Sequence, residues 1–69
     1  MSPDRLAYMA NQIGRFFAHR SEDAAAADIA DHLRKFWEPR MRNQIIAMLN
    51  EDASQLSPAV RKAVESLRV

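Results

Sequence analysis

The side chains able to do chemistry in this sequence are few and scattered. Its two histidines, His19 and His32, have no cysteine to join them. Neither has a second histidine at the three- or four-residue spacing that puts two ligands on one helix face, so no metal site is expected. Asp28 stands four residues before His32 and shares its face, a spacing that allows a carboxylate–imidazole pair. A solvated ion pair or a cap is the expected role. Ser2 and Ser57 each precede a proline and Ser21 precedes Glu22 and Asp23, so all three read as helix caps rather than nucleophiles, with no base beside them. A single glycine leaves no phosphate-cradling loop. The chain is expected to carry no catalytic, metal-binding or cofactor-binding residue of its own.

One local cluster argues for a partner instead. Arg34, Lys35, Arg40 and Arg42 lie close together, interrupted by Glu38, in the stretch His-Leu-Arg-Lys-Phe-Trp-Glu-Pro-Arg-Met-Arg from 32 to 42. Helix, sharp turn and second helix is also the outline of a DNA-reading motif. Against that, the second helix continues as Asn-Gln-Ile-Ile-Ala-Met-Leu, with few groups that reach phosphates. Ten basic residues against nine acidic give a formal charge of only +1. A protein-facing or solvated basic rim is the preferred reading, with no nucleic acid and no membrane among the partners. A small helical nucleic-acid-binding regulator is the alternative.

The elements that must position these residues are helices. One glycine, three prolines and many alanines predict an all-α fold: a single helical domain over residues 1–69, with about four short helices joined by tight turns. The first helix, about 3–19, carries Leu6, Met9, Ala10, Ile13, Phe16 and Phe17 at steps of three and four. The second, about 22–36, carries Ala26, Ile29, Ala30 and Leu33 and ends at Phe36 and Trp37. The third, about 39–51, carries Met41, Ile45, Met48 and Leu49, and the fourth, about 58–67, carries Val60, Ala63, Val64 and Leu67. Met9-Ala-Asn-Gln-Ile13 echoes Met41-Arg-Asn-Gln-Ile45, which reads as two amphipathic helices sharing steps rather than as a repeat.

Pro39 disfavours a helical Glu38, so the second helix should stop near Trp37 and the third begin near Pro39. Glu38 is expected to reach Arg42 four positions on. Neighbours on a helix point about 100° apart, so neither Phe16 and Phe17 nor Phe36 and Trp37 can share the centre of one stripe. Either these rings fill the corner where the helices meet, or at least one of each pair faces outward; burial is favoured for Phe17 and Phe36 and left open for Trp37. Gly14, inside a helix, points to close approach by another helix or another chain.

Only roughly 60% of the surface of so short a chain is buried on folding. With 69 residues and no cysteine, association with another chain is the remaining support for a thin core. No apolar run approaches the roughly 20 residues of a membrane span, and the first residues lack the pattern of a signal peptide. A cytoplasmic location is expected.

Two blocks, Tyr8-Met-Ala-Asn-Gln-Ile-Gly-Arg-Phe-Phe17 and Ile29-Ala-Asp-His-Leu-Arg-Lys-Phe-Trp-Glu-Pro-Arg-Met41, resemble the delta subunit of the soluble NAD-dependent formate dehydrogenases. The run Phe-Trp, an acidic residue and Pro-Arg-Met is the specific part. The resemblance implies an accessory subunit of a cytosolic hetero-oligomer that oxidises formate. It binds the catalytic subunit and supports assembly, stability or cofactor loading. The molybdenum or tungsten bis-pterin centre, iron-sulfur clusters, FMN and NAD reside in the larger subunits. On this reading Trp37, Arg40 and Arg42 face the catalytic subunit, Phe36 and Met41 anchor the corner from inside, and Gly14 and Phe16 extend the contact.

Overall fold

Proline and serine set the beginnings of the helices. In the computed structural model, which describes residues 2–68, α1 spans Pro3–Phe16, α2 Glu22–Phe36, α3 Pro39–Glu51 and α4 Pro58–Leu67, with one 3-10 turn at Ala53–Gln55. The fold is all-α, as the sequence predicts. The Ser2 hydroxyl accepts from the Arg5 amide at 3.3 Å and the Ser21 hydroxyl from the Ala24 amide at 3.2 Å, satisfying a donor that the first helical turn cannot. Ser57 holds the cap position of α4, but its hydroxyl makes no cap bond. Its backbone amide donates instead to Asn11 Oδ1 at 3.0 Å.

The first helix ends three residues sooner than expected. After Phe16 the ladder tightens, with the Phe17 amide donating to the Gly14 carbonyl and the Ala18 amide to that of Arg15. Ala18, His19 and Arg20 are all exposed, so no apolar contact holds another turn, and the chain swings toward Ser21.

All four helices feed one core. Leu6, Ile29, Leu33, Ile45, Val60 and Val64 are its largest fully buried side chains. α2 packs most extensively on α4. The buried Ala25, Ala26 and Ala30 of α2 and Ala63 of α4 have small side chains that let helix axes come close. The alanine run thus favours helix and also packs the core. The Cα radius of gyration is 10.5 Å, against about 11 Å for a globule of this length. The chain therefore closes on itself, thin core notwithstanding. No helix among the described residues is long and apolar enough to cross a membrane.

Candidate interaction surface

Both aromatic pairs lie at helix C-termini, and each divides in the same way. The last helical residue stays out and the capping residue turns in. Phe16 ends α1 and is 78% exposed, while Phe17 is half-buried against the core. Phe36 ends α2 and is 71% exposed, while Trp37 is only 7% exposed. Trp37 has left the helix for an extended conformation (φ −88°, ψ 139°), so its ring direction is set by the turn rather than by the helical wheel.

This reverses the expected roles at the corner. Trp37 is part of the chain's own core and Phe36 is the ring in solvent, where it lies against His32 with centroids 4.8 Å apart and planes tilted by 45°. Met41 is half-buried and packs on the core. Indole has the larger apolar area to remove from water, and Pro39 turns the chain at the point that brings it inward.

Arg42 is half-buried and also faces inward. Its guanidinium donates to the backbone carbonyls of Arg34, at 3.2 Å, and of Trp37. The expected Glu38–Arg42 ion pair does not form. The last carbonyls of α2 have no helical partner, and a charged donor reaching them from α3 gains more than pairing with a fully solvated carboxylate. Arg40 is exposed. Lys35 pairs with Asp31 at 3.0 Å, so of the basic cluster only Arg34 and Arg40 make no ion pair or carbonyl contact among the described residues.

Gly14 receives its close neighbour from within the chain. A Cβ on it would lie 2.9 Å from Cγ2 of the fully buried Val60, with Ile29 Cδ1 and Ser57 Oγ at 3.7 Å. Asn11, one turn earlier, clamps the same place: its side-chain amide donates to the Gln55 carbonyl at 2.9 Å and its oxygen accepts from Ser57. Sequence reasoning gave Asn11 no role, and its partners, 44 and 46 residues away, left no local signal.

The outward side of α1 carries a strip in which Phe16, expected to extend the contact, is joined by Tyr8 and Gln12, to which the sequence assigns no role. Tyr8, 59% exposed, Gln12 and Phe16 follow one another at four-residue steps, and Gln12 Nε2 donates to the Tyr8 hydroxyl at 3.1 Å. A wheel centred on Leu6 and Ala10 would have placed Tyr8 and Phe16 outside it. Arg15 joins Gln12 and Phe16 in lining an open depression of about 500 Å³.

Elsewhere two ion-pair sites tie separate segments of the chain together. Arg20 pairs with Asp28 at 2.8 Å, which takes Asp28 away from His32. Lys62 of α4 spans Glu22 and Asp23 at the start of α2, at 2.9 and 2.7 Å. The hydrogen bond and charge of Lys62 hold the Asp23 carboxyl below its usual range, and the hydrogen bonds and charges of Asp23 and Glu22 raise the Lys62 ammonium above its own. Hydrogen bonds from Ser54 and Gln55 lower Asp52 at the 3-10 turn. Among the described residues, no three His, Cys, Asp or Glu side chains converge as a metal site would require.

No curated protein and no solved structure matches this chain. A family model does: that of the NADH-dependent formate dehydrogenase delta subunit, FdsD, over residues 5–64 of the 69. The match takes in both aromatic pairs, the Asn11–Gly14 clamp and the Lys62 bridge, and on it the chain belongs to the formate dehydrogenase delta-subunit family.

Proposed function

We propose that this chain is a non-catalytic accessory subunit of a cytoplasmic, NAD-dependent formate dehydrogenase, and that it binds the catalytic subunit to support assembly, stability or cofactor loading. The observation that carries the reading is the exposure of three large aromatic side chains, Tyr8, Phe16 and Phe36, on a domain that has buried its tryptophan. Exposed rings beside arginine are the composition of binding hot spots. The contact residues are Phe16, Phe36 and Arg40, while Trp37, Arg42 and Gly14 act by holding the surface in shape. In this reading the bis-pterin metal centre, iron-sulfur clusters, FMN and NAD that the resemblance implies reside in the larger subunits; this chain has no cysteine to ligate a cluster and a single glycine.

Expressing the complex with and without the tagged chain tests the reading. The chain should co-purify with the catalytic subunit, and the complex formed without it should have lower metal content or lower formate oxidation. Failure to co-purify, with unchanged metal content and activity, refutes it.

A further inference from the structure

The outward face of α1 brings unpaired charge and exposed rings together. Arg5 and Arg15 make no ion pair among the described residues, which is equally true of Arg34, Arg40, Arg42, Arg61 and Arg68. What sets α1 apart is that its two arginines share a face with two exposed rings. Both arginines are exposed on the side that carries Tyr8, Gln12 and Phe16. Asp4 is the helix's single acidic residue, so the face is left with an excess of positive charge around two exposed rings.

We propose that this face is a helix-in-groove docking strip for an acidic groove on the catalytic subunit, with Tyr8 and Phe16 as anchors two turns apart and Arg5 and Arg15 reading carboxylates on the groove walls. The inference rests on the accessory-subunit reading and adds where the contact lies and what chemistry receives it. An amphipathic helix seated in a groove presents anchors at this kind of spacing. The Gln12 bond to the Tyr8 hydroxyl holds the first anchor in place before binding, which lowers the entropy lost on docking. A second copy of the chain is a poorer occupant, because pairing two such faces brings four guanidiniums against two Asp4 carboxylates. Nucleic acid is poorer still: salt-dependent duplex binding rests on about 6–10 phosphate contacts, and the strip offers two cations.

The test titrates the full chain onto the enzyme complex purified from cells lacking it and records affinity at low and high salt. Tyr8→Ala and Phe16→Ala should each weaken binding by roughly 10-fold or more. Arg15→Glu should weaken it and flatten its salt dependence. Glu65→Gln, on the exposed side of α4, serves as the control and should bind as the wild type does. If the wild type does not bind, the accessory reading fails and the strip with it. If the wild type binds and both ring variants bind within about twofold of it, the strip is wrong while the accessory reading stands. A wild-type dimer in sedimentation equilibrium that Phe16→Ala dissolves would make a second copy the occupant and overturn the proposal.

Discussion

The ends of α1 and α2 carry similar pairs of aromatic residues, Phe16 with Phe17 and Phe36 with Trp37, and the chain treats them differently. At the end of α2, Trp37 is sealed into the core, Arg42 reaches back to the last carbonyls and His32 lies against the exposed Phe36. At the end of α1, Phe17 is only half-buried and Phe16 stands beside an unpaired Arg15. Apart from the exposed Phe36, the α2 end is closed by the chain's own residues, whereas the α1 end is left with an open ring, a half-buried ring and an unpaired arginine. Residues that complete the first should govern stability, and residues left over at the second should govern binding.

Trp37→Ala should break the closed end most severely. Removing a buried aromatic costs about 3–5 kcal/mol, and a domain of this size has only about 4–10 kcal/mol in total. Circular dichroism should find the variant largely unfolded or melting far below the wild type. A folded Trp37→Ala chain that loses only its partner would instead put the indole in the interface. Arg42→Ala removes the charged donor from two carbonyls and should lower stability by about 1–2 kcal/mol in urea unfolding.

Gly14→Ala sharpens the comparison from the α1 side. Helix propensity gains about 1 kcal/mol, but the new methyl meets the stiff, buried Val60 and overpacking costs about 1–3 kcal/mol. The net expectation is a loss of about 1 kcal/mol. Stabilisation by this substitution would mean that α4 yields at Val60 and that the glycine is not required by packing.

The Lys62 bridge joins the body of the fold rather than either end, and its signature is pH. Asp23 has a lowered pKa in the folded chain, so its contribution is present above 3.8, the ordinary value, and fades as pH falls through the lower folded value. Lys62 has a raised pKa, so its contribution is present below 10.5 and fades as pH rises through the higher folded value. The stability gap between wild type and Lys62→Ala should therefore be level across neutral pH and narrow at both extremes. The smallest effect on stability is expected at the open end: Phe16→Ala should change it by less than about 0.5 kcal/mol.

Much of the fold was legible because its signals are local. Serine, proline and apolar steps of three and four located the starts of all four helices and the ends of the last three. The end of α1 was missed because Phe17 continues the apolar pattern although the ladder has already tightened there. The corner was misassigned for a related reason. Phe36 and Trp37 flank the α2 stripe about equally, and only the extended backbone at Trp37 decides which ring turns inward. The echo of Asn11 in Asn43 carried no information either, since Asn11 clamps the approach to α4 while Asn43 stands exposed. Charges were legible one by one but not in their pairings: the partners of Asp28 and Lys62 come from other elements.

Hydrogen exchange on the chain, free and within the purified formate dehydrogenase complex, tests the division between a closed interior and an open docking face most directly. Amides from Tyr8 to Phe16 should gain protection in the complex, while those of α4 from Val60 to Val64, a turn anchored in the core by Val60, Ala63 and Val64, should change little. Equal exchange along α1 in both states, or new protection confined to α4, would contradict the account.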